Sequence, residues 1–529
     1  MLQGTSRVMA PSAYGDAARD VTTIPLLRDQ GLVNKDPKSS FRARIRLYWL
    51  ATVLCCGALL FGYDSGLIGG VLTFQSFHSD FRFGKYGPPS ETTVSAIAVG
   101  TQQIGALIGC FAIWPINNLY GRRVAIGVCS LAFCFGVVLE VMNWHTLALF
   151  YTGRMIAGLG VGGSSSVIPV YLSEMAPKEI RGQLGSCFQF MFTIGIFISY
   201  WIDYAVGFMA PGAAQWQIPI GLQLVPGVLM GLGVLTLHES VRWLVANGEV
   251  QRASQSLEWI RAVSDDDSDS NSNSRTAVAA EMAEIQQGIE EEQRAKAGFS
   301  ILELLEWPNA HRVLLAVGIF VAQQSTGATA LAYFGPQFFA LIVGPGDKTL
   351  LLAGIFGFVK VASCGVFIIF LSDRFGRKKV LFIGAALMAL GMLLTAALVR
   401  SINISNGSDD DRPTASTSTP GITPTTILTV ALIYLTIIVF NLSWGPLPWP
   451  YASEIFPTRI RESGVACGVG SQWLFNLIWS SATPYLLSNL GGWGTFSLFG
   501  VMCLGVCVFV AVALKETVNK TLEEINSMF

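Results

Sequence analysis

The sequence predicts an all-α membrane protein with twelve transmembrane helices, arranged as two pseudo-symmetric halves of six helices each. Two observations lead to this fold class. The 529 residues are 52% hydrophobic and only 13% charged, whereas a soluble domain averages about 25% charged residues. In addition, two sequence patterns each occur twice, once in either half of the chain.

The longer repeated pattern is Tyr-x-Ser-Glu, followed by a proline and then by Ile-Arg. It begins at Tyr171 and again at Tyr451, an offset of 280 residues (451 − 171). The shorter pattern, with a shared Gly-Arg element, begins at Asn118 and returns at Asp373, an offset of 255 residues (373 − 118). Each copy closes a long apolar run. Related apolar halves with charged motifs at helix ends are typical of transporters built from repeats.

A transmembrane helix needs about 20 predominantly apolar residues, and twelve segments meet this requirement. The predicted spans are Tyr48–Leu72, Glu91–Asn118, Val124–Met142, Leu147–Leu172, Leu184–Tyr204, Ile218–Leu237, Arg312–Leu341, Thr349–Ser372, Val380–Val399, Thr426–Ala452, Val465–Leu487 and Thr495–Leu514. The predicted divisions are a cytoplasmic tail 1–47, a six-helix half 48–238, a cytoplasmic linker 239–311, a second six-helix half 312–514 and a short cytoplasmic tail 515–529.

Charge and composition give the expected orientation. If the N-terminus is cytoplasmic, ten Lys and Arg residues fall in the short inner loops and five in the outer loops, as the positive-inside rule requires. The sequons at Asn403 and Asn406 then lie outside, where they can be glycosylated. In the linker, Asp265 to Ser274 is predicted to be disordered and Glu281 to Lys296 to form a surface helix. We expect both termini to be cytoplasmic and the membrane to be the plasma membrane.

Composition also argues against several function classes. The net charge of −1 gives no reason to expect a nucleic-acid partner. All ten cysteines lie in apolar segments without metal-ligand spacing, so they are interpreted as packing residues, and no cofactor or metal is expected. Neither paired acids, nor a nucleophile constellation, nor a phosphate-binding loop supports an enzyme.

Five motifs spread over nearly the whole chain carry a family resemblance. They are Gly62-Tyr63-Asp64-Ser65-Gly66, Gly153-Arg154, Pro169-Val170-Tyr171-Leu172-Ser173-Glu174, Gln323-Gln324-Ser325-Thr326-Gly327 and Gly445-Pro446-Leu447-Pro448-Trp449. Together they resemble the sugar porter family of the major facilitator superfamily, in its fungal form. The resemblance implies the fold of that superfamily and the transport of a sugar. Three departures leave the sugar open: His238 begins a string that reads Pro-Glu-Ser-Pro-Arg in the family, Lys515 begins one that reads Pro-Glu-Thr-Lys-Gly, and Thr329 replaces a common Asn.

Asp64 and Arg154 are charged residues at membrane depth, where an ion is rare unless it is used or paired. Asp64 lies 8 residues before the predicted outer end of the first helix (72 − 64), and Arg154 lies 7 after the outer start of the fourth (154 − 147). At ~1.5 Å per residue, both lie roughly 10–12 Å below the outer surface, so they can pair, as the resemblance implies. An acid that pairs with an arginine in only one state can act as a proton switch. The alternative is a fixed ion pair between two helices.

Lys360 lies near the centre of the predicted eighth span, 11 residues from one end (360 − 349) and 12 from the other (372 − 360). Either interface is then roughly 16–18 Å away at ~1.5 Å per residue. A lysine stem spans only about 6 Å, so Lys360 has to face a wet cavity or a partner within the protein. One interpretation is that it binds the carboxylate of a uronic acid or of quinate. The other is an internal partner, such as a helix-end carbonyl or an acid.

The resemblance implies a sugar site of amide and aromatic side chains, which suit a ligand with many hydroxyl groups. The residues carried over are Gln189, Gln323, Gln324, Thr329, Tyr333, Trp449, Gln472 and Asn476. Lys360 joins this set in the anion interpretation. Thr329 offers a hydroxyl in place of an amide, and Tyr333 matches an aromatic residue that gates the outer side. The alternative for the polar residues is hydrogen bonding between helices.

The repeated charged motifs at the cytoplasmic helix ends indicate an inner gate. Its predicted members are Arg122, Arg123, Glu174, Arg181, Glu239, Arg242, Asp373, Arg377, Glu454 and Arg461. Ion pairs between the halves would close this gate in the outward-facing state and break as it opens. The alternative is that these charges only set the topology. Three prolines, Pro446, Pro448 and Pro450, interrupt the tenth helix and mark it as a moving element.

The sequence therefore predicts proton-coupled uptake of a monosaccharide, a hexose or a pentose, by alternating access in a functional monomer. The expected partners are the small-molecule substrate, the proton and the lipid bilayer. The other hypotheses are proton symport of a sugar acid or quinate-like anion, a passive facilitator, and a non-transporting nutrient sensor. Asp64 argues against the facilitator. A sensor is expected to have a long signalling tail, whereas only residues 515–529 follow the last predicted helix.

Overall fold

The computed structural model describes most of the chain. The described residues are 41–81, 91–142, 145–177, 181–261, 271–298, 300–344, 346–371, 376–405, 423–457, 459–517 and 528. Eleven helices in this part of the chain are long and apolar enough to cross a membrane. The last of them turns at Gly491, where φ is 67°, and it crosses twice, which gives the predicted twelve spans.

The first half contains six spanning helices. They are α1 (Phe41–Val71), α2 (Glu91–Tyr120), α3 (Arg122–Val141), α4 (Leu147–Met175), α5 (Arg181–Gly207) and α6, which has the two segments Ala213–Leu222 and Leu224–Leu235. A short helix, Gln75–Asp80, follows α1. We call the membrane side on which α1 begins the linker side, and the opposite side the far side.

The second half repeats this arrangement. Its helices are α7 (Trp307–Gln324 and Ala328–Val343), α8 (Asp347–Val366, extended by the π-helical turn Phe367–Leu371), α9 (Arg377–Ser405), α10 (Pro424–Leu442 and Pro448–Glu454), and α11 (461–490) and α12 (492–513), the two parts of Arg461–Ala513. The last helix has 53 residues, or roughly 80 Å at ~1.5 Å per residue. The hydrocarbon core is only about 30 Å thick, so a single crossing is ruled out.

Two helices break where the sequence contains residues that interrupt the backbone ladder. α7 is interrupted between Gln324 and Ala328, where Gly327 adopts a φ of 81°, a conformation that glycine reaches at little cost. α10 is interrupted between Leu442 and Pro448, within the proline-rich string that the sequence analysis singled out. Such breaks leave backbone carbonyls free for other partners.

The linker is more helical than its composition suggests. It contains the helices Val241–Ala246, Val250–Arg261 and Asn271–Lys296, and a 3₁₀ turn, Ile301–Leu305. The expectation of disorder from Asp265 to Ser274 is wrong for its last four residues, because the long linker helix begins at Asn271. The remainder, 265–270, lies outside the described residues.

Glycines bring α2 and α4 into close contact. Gly105 and Gly109 of α2 lie against backbone carbonyls of α4, and Gly158 and Gly162 of α4 lie against those of α2. Both pairs have the four-residue spacing at which small residues line one helix face. This contact fixes the depth of α4 relative to α2, and therefore positions the buried side chains that α4 carries.

The buried apolar core is shared by the two halves towards the far side and divided towards the linker side. The shared cluster joins Leu67 and Val71 of α1 to Phe334 and Phe338 of α7. Towards the linker side, one cluster belongs to the first half and the linker, and another to the second half and the 3₁₀ turn. The halves therefore meet at the far side and form separate packing units at the linker side.

The glycine contact between α2 and α4 gives the first testable prediction. A β-carbon at Gly162 would overlap the carbonyl group of Ala106, and such overpacking typically costs about 1–3 kcal/mol. We expect Gly162→Val to lower the melting temperature of the detergent-purified protein. Gly127→Val is the matched control, because nothing lies within 4 Å of a β-carbon there. Equal melting temperatures for the two variants in a size-exclusion thermal assay would contradict this account of the packing.

Candidate functional site

Asp64 and Arg154 meet in a fully buried ion pair. Arg154 Nη1 on α4 donates to Asp64 Oδ1 on α1 at 2.5 Å, and the two side chains are 0% and 1% exposed. Arg154 Nε donates to the carbonyl of Ala98 on α2 at 3.2 Å, and its Nη2 donates to Gln102 Oε1. The structure thus brings together the two charges that the sequence analysis placed at one depth. The guanidinium of α4 is therefore held by two other helices of the first half, α1 and α2.

Glu140 is a second acid of this cluster, and the sequence analysis missed it. Its Oε2 lies 3.8 Å from Arg154 Nη1, and its side chain is 1% exposed. Both carboxylate oxygens of Glu140, and Asp64 Oδ2, are buried without a hydrogen-bond partner. The signal was present, since Glu140 is the only acidic residue of α3. Glu140 lies one residue from the end of the helix, where a charge is normally interfacial, so its position in the sequence does not indicate a buried acid.

The break in α7 is tied to the break in α10 by a predicted substrate residue. Gln323 Nε2 donates to the carbonyls of Trp444 at 2.8 Å and Gly445 at 3.1 Å. Thr329 Oγ1, which replaces the amide expected from the family, donates to Gln324 Oε1 at 2.6 Å. Gln323 therefore forms hydrogen bonds between two helices, as the alternative interpretation proposes, whereas Gln324 is bonded within α7. Gln323 Oε1 stays without a hydrogen bond.

Tyr333 lies at the centre of the contact that closes the far side. Its hydroxyl accepts from Gln103 Nε2 on α2 at 2.8 Å and contacts Ser65 Oγ on α1 at 3.3 Å. Close by, Gln337 Nε2 donates to the carbonyl of Gly69 at 3.1 Å. These hydrogen bonds join α7 of the second half to α1 and α2 of the first half. The gating role that the family resemblance implies for Tyr333 stays a prediction.

The other predicted substrate residues are distributed over both halves. Gln189 is half-buried on α5, and Trp449 on α10 packs edge-to-face on Phe320 with ring centroids 5.1 Å apart. Gln472 Oε1 and Asn476 Oδ1 on α11 are buried without a hydrogen-bond partner. Together with Gln323 Oε1, they form a set of amide acceptors that can receive hydroxyl donors.

Lys360 is buried between aromatic rings. Its Nζ lies 5.8 Å from the ring centroid of Phe192 on α5 and 5.9 Å from that of Phe356 on α8, and the residue is 3% exposed. In the described part of the chain, no carboxylate forms an ion pair with Lys360. Sequence reasoning located the lysine but not its ring partners, which depend on the contact between α5 and α8.

An aromatic path leads from Lys360 towards the amide residues. Phe192 packs against Phe61 of α1 with ring centroids 4.6 Å apart, and Phe61 packs against Trp473 of α11 at 5.2 Å. Trp473 is the direct neighbour of Gln472 in the chain. The row of rings therefore joins α5 and α1 of the first half to α11 of the second, with Lys360 at one end.

The predicted inner gate forms two matching ion-pair sites, each within one half. Arg122 contacts Glu174 at 2.8 Å in the first half, and Arg377 contacts Glu454 in the second. Glu239 accepts from the backbone N–H groups that begin α3, at 2.9 and 3.1 Å. Arg123 and Glu239 are both predicted members of the gate, and Arg123 supplies the second of these N–H groups.

Glu516 has the same role at α9 that Glu239 has at α3, and the sequence analysis did not include it in the gate. It accepts from the backbone N–H groups of Arg377 at 2.8 Å and Lys378 at 3.1 Å. The signal was the position of Lys515-Glu516-Thr517 just after the last helix, which matches His238-Glu239-Ser240 after α6. Pairing of gate residues across the halves stays a prediction for a state in which the linker side is closed.

The long linker helix connects the two halves on the linker side. Arg242 contacts Glu292 on this helix at 3.2 Å, and Lys296, one turn further on, contacts Glu462 at the start of α11 at 2.8 Å. Arg459 contacts Glu303 of the 3₁₀ turn at 2.8 Å. The hydrogen bonds from Arg459 hold the pKa of the Glu303 carboxyl below its usual range. These surface pairs tie the linker to both halves.

The remaining predicted residues either form a contact within their own half or lie wholly or partly outside the described residues. Arg461 Nε donates to the carbonyl of Phe456 at 3.3 Å, within its own half. Arg181 begins α5, but its side chain lies outside the described residues, as does the whole of Asp373. Asn403 falls in the last turn of α9, with its side chain outside the described part, and Asn406 lies outside it altogether. Glycosylation of the two sequons stays a prediction.

Comparison with known proteins identifies the family. Residues 50–529 match the family described as "Sugar (and other) transporter". The chain belongs to the sugar porter family of the major facilitator superfamily. A probable quinate permease of Aspergillus terreus is 33% identical over 493 residues, which is 92% of this chain and 87% of the relative. A quinate permease of Emericella nidulans is 31% identical over 92% of this chain and 88% of its own length.

Solved structures agree on the fold of this sugar porter. The xylose transporter XylE from E. coli, in a partially occluded inward open conformation, matches with a TM-score of 0.72 and 22% identity, over 90% of this chain and all of that one. XylE bound to 6-bromo-6-deoxy-D-glucose matches with a TM-score of 0.70 and 23% identity, over 92% of this chain and 99% of that one. The predicted fold and family are confirmed, and the protein is a multi-pass membrane transporter rather than an enzyme.

The hydrogen bonds of Tyr333 lead to a prediction about closure of the far side. Tyr333→Phe removes the hydroxyl that joins α7 to α1 and α2 and should shift the population towards a far-side-open state. Spin labels at Phe208→Cys and Ile427→Cys, two exposed far-side positions in different halves, report this by double electron–electron resonance in a cysteine-free background. We expect a larger long-distance population.

Tyr485→Phe is the matched control, because its hydroxyl also reaches across the halves, to Thr93 at 3.4 Å, but at an exposed position. We expect Tyr485→Phe to change the distances little, since water can replace the partner of an exposed hydrogen-bonding group. Identical distance distributions for Tyr333→Phe and the unmodified protein would rule out the closing role of the hydroxyl.

Proposed function

We propose that this sugar porter takes up a quinate-like polyhydroxylated carboxylate together with a proton, by alternating access. The observation that carries the proposal is the buried ammonium of Lys360, which faces two aromatic rings and forms no ion pair in the described part of the chain. We further propose that the linker side is cytoplasmic, that the membrane is the plasma membrane, and that the protein works as a monomer.

The energetics of Lys360 favour an anionic substrate. A buried ion costs several kcal/mol when its charge is not compensated, whereas one cation–π contact contributes about 0.5–2 kcal/mol. Two rings therefore offset only part of the cost. A carboxylate bound between the halves would supply the missing counter-charge, and it would do so only while substrate is present. Lys360 then acts as a specificity residue for acids over neutral sugars.

The amide acceptors complete the proposed site. Gln323, Gln472 and Asn476 each have a buried amide oxygen without a hydrogen bond. Hydroxyl groups of a cyclic polyol donate to such oxygens, and aromatic faces such as Phe61 and Trp449 pack on its C–H groups. The named function of two relatives, quinate permease, supports the same substrate class.

The ion pair of Asp64 and Arg154 supports proton coupling. Its two charges are buried near the closed far side, so a change of state that exposes them to water changes the free energy of protonating Asp64. Charge balance favours the same conclusion, because a carboxylate substrate and one proton together carry no net charge. A rise in external pH should therefore slow uptake, since fewer coupling sites are loaded.

A monosaccharide is the second candidate substrate. The amide and aromatic residues carried over from the family favour it, since they recognise hydroxyl groups whether or not the ligand is an acid. It leaves Lys360 without a counter-charge, and for that reason we place it second. A passive facilitator does not need a group that binds a proton, so the buried pair of Asp64 and Arg154 argues against it.

Substitution of Asp64 tests the proton coupling. Asp64→Asn keeps the shape of the side chain and removes the group that binds the proton. We expect it to abolish protonophore-sensitive accumulation of labelled substrate in a yeast that lacks its own hexose carriers, while exchange across the membrane without a gradient continues. Asp347→Asn is the control, because this acid is exposed at the far-side start of α8. Unchanged, protonophore-sensitive accumulation in Asp64→Asn would exclude the proposed role.

Substitution of Lys360 tests the substrate class. Lys360→Met keeps the length of the stem and removes the charge, and we expect at least a tenfold weaker competition by quinate, about 1.4 kcal/mol. Competition by glucose, if present, should fall much less. Lys348→Met on the same helix is the control, because its side chain is exposed. Equal inhibition by quinate in Lys360→Met and the unmodified protein would refute the anion site and favour a monosaccharide.

A further inference from the structure

Glu140 shares its arginine with Asp64. Arg154 Nη1 lies 2.5 Å from Asp64 Oδ1 and 3.8 Å from Glu140 Oε2. The other two guanidinium nitrogens, Nε and Nη2, donate hydrogen bonds to α2. A single nitrogen therefore faces both acids. A displacement of about 1 Å in the guanidinium is enough to exchange one partner for the other, given the length of a charge-assisted hydrogen bond of about 2.8 Å.

The position of Glu140 depends on a glycine contact between α3 and α4. A β-carbon at Gly153 would lie 2.8 Å from Glu140 Cγ and 2.7 Å from the carbonyl oxygen of Gly136. Any other residue at either glycine would separate the helices. Gly153 precedes Arg154, so the same close approach that admits the glutamate also brings it to the arginine.

The charges of this cluster do not balance unless one proton is bound. Asp64 and Glu140 carry two negative charges when both are ionised, and Arg154 carries one positive charge. All three side chains are at most 1% exposed, and a net buried charge is costly. Asp64 Oδ2 and both oxygens of Glu140 are without hydrogen-bond partners, which leaves room for a proton on either acid.

We propose that Glu140 is a second acid of the proton-coupling site, so that one proton is shared between Asp64 and Glu140 while the ionised member of the pair holds Arg154. The proposal rests on the proton coupling proposed above. When the proton is on Glu140, Arg154 pairs with Asp64, as in this structure. When it is on Asp64, Arg154 pairs with Glu140. The site is neutral in both arrangements, and it becomes negative only after the proton leaves.

The groups around Glu140 are consistent with this assignment. Arg154 of α4 and Asp64 of α1 are the charged residues that act on it. α6 carries no charged residue. The remaining charged residues of α2 and α4 lie at the helix ends, with Glu91 exposed at the far side and Glu174 at the linker side. Protonation of Glu140 is thus governed by the cluster itself.

Removal of Glu140 has a direct consequence for proton affinity. In Glu140→Gln, Asp64 and Arg154 already neutralise each other without a proton, so protonation of Asp64 would leave a buried positive charge. We expect half-maximal uptake of labelled quinate, with labelled glucose measured in parallel, to need at least a tenfold higher external proton concentration, a shift of one pH unit or more. Glu140→Asp should restore part of the shift, and Glu91→Gln should leave the pH profile unchanged.

A merely structural role for Glu140 predicts a different result. The pH profile of Glu140→Gln would then match that of the unmodified protein, and this outcome overturns the proposal while leaving proton coupling intact. If the unmodified protein shows no protonophore sensitivity, the proposed coupling itself fails, and this inference fails with it.

A second measurement covers a variant that does not fold. If Glu140→Gln supports no substrate exchange, infrared spectroscopy of Asp203→Asn at neutral pH reports on the same claim, because this substitution removes another fully buried acid. We expect the C=O stretch of one buried carboxylic acid, shielded from rapid hydrogen exchange. A spectrum without such a band would show both acids ionised and would overturn the proposal.

Discussion

The buried ion pair between Asp64 and Arg154 is the interaction on which the first half of this transporter depends. It joins α1 to α4, and Arg154 also holds α2 through Ala98 and Gln102. Removal of Arg154 would leave Asp64 and Glu140 buried without a counter-charge, and the loss of one partner of a buried pair typically costs about 3–5 kcal/mol. The glycine contacts between α2, α3 and α4 surround this ion pair. A change in the protonation of Asp64 therefore affects contacts among α1, α2 and α4.

The second half is built around interruptions of the backbone. α7 and α10 both break at mid-depth, and Gln323 joins the two breaks by donating to carbonyls that α10 no longer uses. Irregular backbone at membrane depth is tolerated only where protein or a wet cavity satisfies it. The proposed coupling residues therefore lie in the first half and the proposed substrate residues, apart from Gln189, lie in the second. Contacts such as those of Tyr333 connect the two halves.

Much of the fold and part of the site could be predicted from the sequence. Apolar run length located the spans, and counting from a shared surface placed Asp64 and Arg154 at one depth. Glu140 could not be found in this way, because its contact with Arg154 depends on how closely α3 and α4 cross. The pairing of Glu174 and Glu454 within their own halves was also not predicted. Repeated motifs reveal symmetry, but they do not say whether a charge pairs within a half or across the two halves in a given state.

The central claim is that substrate and proton move together, and proton flux tests it most directly. Purified protein is reconstituted in liposomes that contain a pH-sensitive dye, and quinate is added outside at equal internal and external pH. The account predicts that the lumen acidifies on addition of quinate, in proportion to the labelled quinate that enters, with no change in protein-free liposomes. Entry of labelled quinate without a change in luminal pH would contradict it.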